Sequence, residues 1–122
     1  MTADKKHFCV QEMKEIIARE VRDKPVDRVI LFGSRAQRTD DLYSDTDLLL
    51  VAETTRPFPE RFKDFWGLIE QIPTPVEMLI YTPHEFERLK AEENPFIETV
   101  LEQGVVVYER STQRSATMVG PS

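Results

Sequence analysis

A chain of 122 residues with a formal net charge of −6 suffices for one compact domain with one core, and leaves no length for a separate substrate domain. Its apolar residues come in short blocks and never in a membrane-length run, and its surplus of acids argues against a direct grip on the nucleic-acid backbone, which needs a basic face. One cysteine, Cys9, excludes an intrachain disulfide, and the polar start Met1-Thr-Ala-Asp-Lys-Lys-His lacks a secretory signal, so a cytoplasmic protein is expected.

Between Lys5 and Arg22, Val10, Met13, Ile17 and Val21 recur at spacings of three and four, which predicts an opening amphipathic helix ended by Pro25. Val26 to Phe32 is an apolar, partly β-branched run stopped by Gly33, and reads as a buried strand. The polar stretch Arg35 to Ser44 predicts a short turn or loop, and Asp45-Thr-Asp-Leu-Leu-Leu-Val-Ala a second strand with its acids at the start. Phe58, Phe62, Phe65, Trp66 and Ile69 fall on one helical stripe after Pro57, a row expected to pack into the core. Val76 to Tyr81 is the third strand, with Glu77 near its beginning. Thr82-Pro-His-Glu85 has the form of a capping box, opening a helix to about Ala91. Asn94-Pro95 opens another, with Phe96, Ile97, Val100 and Leu101 apolar and Gly104 at its end. Val105 to Tyr108 is a short last strand, and residues 111–122 read as a disordered tail after a domain spanning 1–110. Helices alternating with about four strands predict an α/β (α+β) fold with helices packed on one small mixed sheet, in an order the sequence does not disclose.

The chemistry gathers at two strand ends. Asp45 and Asp47, two apart on a predicted strand, project from one face with Cα atoms about 6 to 7 Å apart. Two carboxylates so close repel unless a cation compensates, and hard oxygen ligands suit Mg²⁺, which takes one or two carboxylates plus phosphates. Should the third strand neighbour the second, Glu77 would join them, and three acids could hold two metal ions for an in-line displacement at phosphorus. Gly33 lets the chain turn sharply after a strand and offers amides to a phosphate, Ser34 adds a hydroxyl, and Arg35 or Arg38 adds charge if turned inward. His7 and His84 read as solvated, and Cys9 as a structural thiol.

The order strand, Gly33-Ser34, ten residues, Asp45-Thr46-Asp47, strand resembles the minimal nucleotidyltransferase family of the DNA-polymerase-β-like superfamily, through Leu-Phe-Gly33-Ser34-Arg35-Ala36 and Ser44-Asp45-Thr46-Asp47-Leu48-Leu49. A looser similarity runs through Val76-Glu77-Met78, Tyr81-Thr-Pro, Asn94-Pro-Phe-Ile and Glu102-Gln-Gly104-Val-Val-Val-Tyr. The resemblance implies phosphate binding at Gly33 and Ser34, Mg²⁺ at Asp45 and Asp47, and ATP as substrate. It departs at the third acid, usually aspartate and here Glu77, one methylene longer. Small proteins similar to this one are commonly paired with a helical HEPN-domain toxin. The resemblance therefore implies an antitoxin, in a hetero-oligomer with its partner, that moves AMP from ATP onto a tyrosine of that partner. Two other readings stand beside it: a catalytically weakened nucleotide-binding module that silences its partner by covering it, and a transferase acting on a small molecule of the aminoglycoside type.

Overall fold

The structure is a computed structural model, and it describes residues 10–33 and 45–110. Helix α1 spans Val10–Val21 and buries Met13, Ile17 and Val21, one residue per turn on a single stripe. Of the opening helix expected from Lys5, residues 5–9, with His7 and Cys9, lie outside the described residues, as do residues 34–44 and 111–122, on which the expected turn and disordered tail fall.

Strands β1 (Val26–Phe32), β2 (Thr46–Ala52), β3 (Val76–Tyr81) and β4 (Val105–Glu109) form one sheet in the order β3-β2-β1-β4. β1 pairs antiparallel with both β2 and β4, whereas β2 and β3 are parallel. A parallel neighbour cannot be reached through a tight turn. The chain crosses over through a 3-10 helix, Phe58–Phe65, and helix α2, Trp66–Gln71.

The inner strands are apolar almost throughout because both faces of the sheet are covered. Leu48, Leu50 and Ala52 of β2 join Met13, Ile17, Val21, Phe65 and Leu68 on one face. Leu49 and Val51 point the other way, to Phe86 of helix α3 (Pro83–Ala91) and to Ile97 and Val100 of helix α4 (Pro95–Gln103). The one core expected from the sequence is therefore two apolar layers, one on each side of the sheet. Each buried Leu or Ile side chain contributes roughly 1.5 to 3 kcal/mol.

Helix starts follow the sequence closely. The Thr82 hydroxyl accepts from the Glu85 amide at 3.1 Å while Glu85 Oε1 accepts from the Thr82 amide at 2.9 Å, a complete capping box. Asn94 Oδ1 accepts from the amides of Phe96 and Ile97 at the head of α4. Gly104 ends α4 as expected, but its φ of −79° is ordinary, and space is what calls for glycine there. A Cβ would sit 2.5 Å from the Val100 carbonyl oxygen and 2.6 Å from Ile30 Cγ2.

The aromatic row expected in the core is corrected. Only Phe65 of the five is buried with an aromatic ring, alongside a half-buried Phe62 and Ile69, while Phe58 and Trp66 stand 44 and 51 % exposed. A 3-10 helix repeats every three residues, so a stripe drawn at 3.6 per turn no longer stays on one face. Arg61 takes the buried place instead. Its guanidinium donates to the Ile80 carbonyl at 3.0 Å and to both Glu85 oxygens, at 2.7 and 3.1 Å, joining the crossover to β3 and α3. This fork holds the Glu85 carboxyl at about 2; the Arg61 hydrogen bond is the largest cause, acting against partial burial and with help from the Thr82 amide.

Candidate functional site

The register of the sheet carries the candidate acids to one place. Phe32, the last residue of β1, lies opposite Asp47. Asp47 in turn is level with Glu77 on the parallel neighbour β3. Paired residues on adjacent strands project to the same face, here the one covered by α3 and α4. Asp45 stands exposed one residue before β2 begins at Thr46, so the second strand starts inside the acid pair and not at its first member.

Thr46, treated in the sequence only as a spacer, has a structural task. It is wholly buried, its hydroxyl shares a 2.6 Å hydrogen bond with the Thr74 hydroxyl, and its amide donates to the Pro75 carbonyl at 2.8 Å. These bonds tie the start of β2 to the segment entering β3, which fixes Asp47 and Glu77 side by side. Its position between two outward-facing acids on an alternating strand was the available signal.

Gly33 follows Phe32 with φ of +83°, in the left-handed region that favours glycine. A Cβ here would collide with Asp47 Oδ2 and lie 3.4 Å from Asp47 Cγ. The turn and the carboxylate therefore interlock. The carboxyl of Asp47 is pushed above its ordinary range, first by burial, then by the charge of Glu77, then by that of Asp45. Three negative groups thus act on one another at the end of β2, the environment in which a divalent cation gains most.

Ser34, Arg35 and Arg38 lie outside the described residues. Among the described residues no three acid, imidazole or thiol side chains gather closely enough to hold a metal ion as a group. Asp45 and Asp47 are hard oxygen donors whose charges oppose one another, and the pair could hold a magnesium ion with the remaining positions left to water and phosphate oxygens. An open cavity of about 590 Å³, lined by Glu53, Thr54, Thr55, Arg56 and Asp64, lies beyond the opposite end of β2. The strand residues Leu48 to Ala52 separate it from Asp47. It is filled at its rim by the Arg56–Asp64 ion pair at 3.1 Å. His84 is exposed at the head of α3.

Comparison with known proteins agrees with this geometry. A sequence model described as "Polymerase beta, Nucleotidyltransferase" matches residues 11–113. No protein of curated function matches the sequence. Among solved structures, a chain of a toxin–antitoxin crystal structure with AMP-PNP superposes with a TM-score of 0.60 at 20 % identity, covering 87 % of this chain and 81 % of that one. A candidate nucleotidyltransferase from Sulfolobus solfataricus gives 0.58 at 21 %, covering 88 and 86 %. A chain of the complex between a tri-AMPylated Shewanella oneidensis HEPN toxin and its MNT antitoxin gives 0.55 at 18 %, covering 90 and 81 %. At these identities the likeness is one of fold. Among the described residues no helix is long and apolar enough to cross a membrane.

Proposed function

The chain belongs to the polymerase-β nucleotidyltransferase family, and from that premise we propose that it transfers AMP from ATP to a hydroxyl, most readily a tyrosine of a HEPN-type toxin for which it acts as antitoxin. One observation carries the reading: the interlock of Gly33 with Asp47, level with Glu77 and charged against Asp45. Support for the partner comes from neighbours of the same fold that are described with HEPN toxins.

In this reading Asp45 and Asp47 would hold Mg²⁺, which when bound neutralises triphosphate charge and polarises the α-phosphate. Gly33 leaves room for a phosphate to approach the backbone, with Ser34 and Arg35 proposed to bind the same phosphates. The acceptor oxygen attacks the α-phosphorus, the bond from that phosphorus to the bridging oxygen breaks, and pyrophosphate leaves. Glu77, exposed and level with Asp47, is proposed to take the proton of the acceptor hydroxyl. Position within the cell follows from the partner, and a cytoplasmic setting is proposed with it.

The test is incubation of the purified protein with α-labelled ATP, Mg²⁺ and the product of its neighbouring gene. Label should move to a tyrosine of the partner and stop with Asp47→Asn. Transfer that survives Asp47→Ala overturns the proposal. A second reading, a binding module that covers its partner without transfer, is favoured by one feature: Glu77, one methylene longer than the family's usual aspartate. Protection against the partner that is undiminished when Asp45 and Asp47 are both replaced would select it.

A further inference from the structure

The Asn94-Pro-Phe96-Ile segment is not used by the phosphate and metal chemistry, yet the fold carries it to the edge of the same site. Phe32 lies opposite Asp47 on the sheet. Its ring meets that of Phe96 edge to face, with centroids 5.5 Å apart and planes at 83°. In such a pair the edge of one ring meets the face of the other, and the two leave further aromatic surface uncovered. Phe96 accordingly remains 40 % exposed although it sits in the first turn of a helix whose next residue, Ile97, is wholly buried. The Asn94 cap accepts from the Phe96 amide at 3.0 Å, which fixes the backbone beneath the ring.

We propose that Phe96, buttressed by Phe32, is the platform on which the base of the bound nucleotide stacks, a proposal that rests on the nucleotide site proposed above. One cross-strand pair and one ring contact separate Asp47 from Phe96. That span is on the scale of the ribose and phosphate linking a base to its reacting phosphorus. A planar base is the ligand part that an uncovered, rigidly held aromatic ring recognises, and recognition by stacking is tolerant of base identity. Trp66, the more exposed aromatic, does not compete for this role. It begins α2, whose Leu68 packs on the opposite face of the sheet with α1. Phe58 is likewise turned elsewhere, against Tyr81 and Arg61.

The experiment measures binding of Mg-ATP and of inorganic tripolyphosphate to the full chain by calorimetry, for the wild type, Phe96→Ala and Phe96→Trp. Stacking of one base contributes roughly 1 to 3 kcal/mol on alanine substitution, so Phe96→Ala should weaken ATP about tenfold or more. Tripolyphosphate, which has no base, should bind all three alike, and Phe96→Trp should hold ATP as well as the wild type. ATP binding unchanged in Phe96→Ala overturns the proposal, as does an equal loss of tripolyphosphate, which would mark a merely structural role. Should Phe96→Ala not fold, Phe96→Leu keeps the apolar bulk without the aromatic face, and the same selective loss of ATP is required of it. A wild type that binds neither probe counts against the nucleotide site itself, whereas one that binds both, with Phe96 indifferent, counts against the platform alone.

Discussion

Replacing Gly33 by alanine tests the joint between the turn and the acid. An alanine held at φ of +83° suffers the steric penalty of the left-handed region, about 1 to 2 kcal/mol. Its Cβ also occupies the place of Asp47 Oδ2, so the carboxylate must leave its rotamer at a further cost of roughly 0.5 to 1.5 kcal/mol. In a chain of this size the sum lowers the thermal midpoint by about 5 to 10 °C. The two parts separate in a double-mutant cycle followed by thermal unfolding. Asp47→Ala removes the atom that is struck, so in the Gly33→Ala background it should recover the rotamer part and leave the backbone part. A coupling of about 0.5 to 1.5 kcal/mol is expected. Costs that simply add would refute the reasoning, because the glycine would then serve the backbone alone. ATP binding, measured alongside, should fall in Gly33→Ala even where the protein remains folded.

Other outcomes follow from the same structure. Asp47→Asn should stabilise the fold by about 0.5 kcal/mol in metal-free buffer while abolishing transfer, since it removes a partly buried charge repelled by Glu77 and Asp45. Because the Asp47 carboxyl is raised, its share of stability is present below the unfolded pKa and lost as pH rises through the folded one; the wild-type advantage over Asp47→Asn should therefore be greatest at acid pH. Glu85 behaves oppositely, its carboxyl being lowered from 4.5 to about 2, so its contribution holds above pH 4.5 and disappears as pH falls toward 2. With a carboxylate about one-third exposed, screening limits the loss to about 1 to 2 kcal/mol, visible as a flatter acid limb in Glu85→Gln. Arg61→Leu removes the guanidinium donor from the Ile80 carbonyl and leaves Glu85 only the Thr82 amide, and should cost about 2 to 4 kcal/mol in urea unfolding. Thr46→Val should cost about 1 kcal/mol and reduce transfer more than stability, because it frees the entry to β3.

What the sequence disclosed was mostly local. The gathering of Gly33, Asp45 and Asp47 at one place was legible because it follows from spacing along adjoining elements, and Thr82 and Asn94 because a cap acts within four residues. The sheet order was not, since nothing in Val76 to Tyr81 says that it lies parallel to β2 and not beside β4. With that order hidden, the level placement of Glu77 and Asp47 remained conditional. The crossover misled for a different reason: its aromatic row fits an α-helical wheel, but Phe58–Phe65 is a 3-10 helix, in which Phe62 and Phe65 share one face while Phe58 falls on another, beneath the Arg61 guanidinium. The Thr46–Thr74 bond joins residues 28 apart and left no local trace.

Both strands that end at the acids, β1 and β2, are interior strands with a hydrogen-bonded neighbour on each side. Amides in such positions exchange with solvent only when the whole molecule opens, whereas edge strands and helix ends breathe separately. Deuterium should therefore enter β1 and β2 last, and at the rate of global unfolding. A ligand that binds only the folded chain would therefore slow exchange throughout both strands, and substitutions far from the acids, at Met13 or Leu50 for example, would lower occupancy only once they leave an appreciable fraction of the chain unfolded.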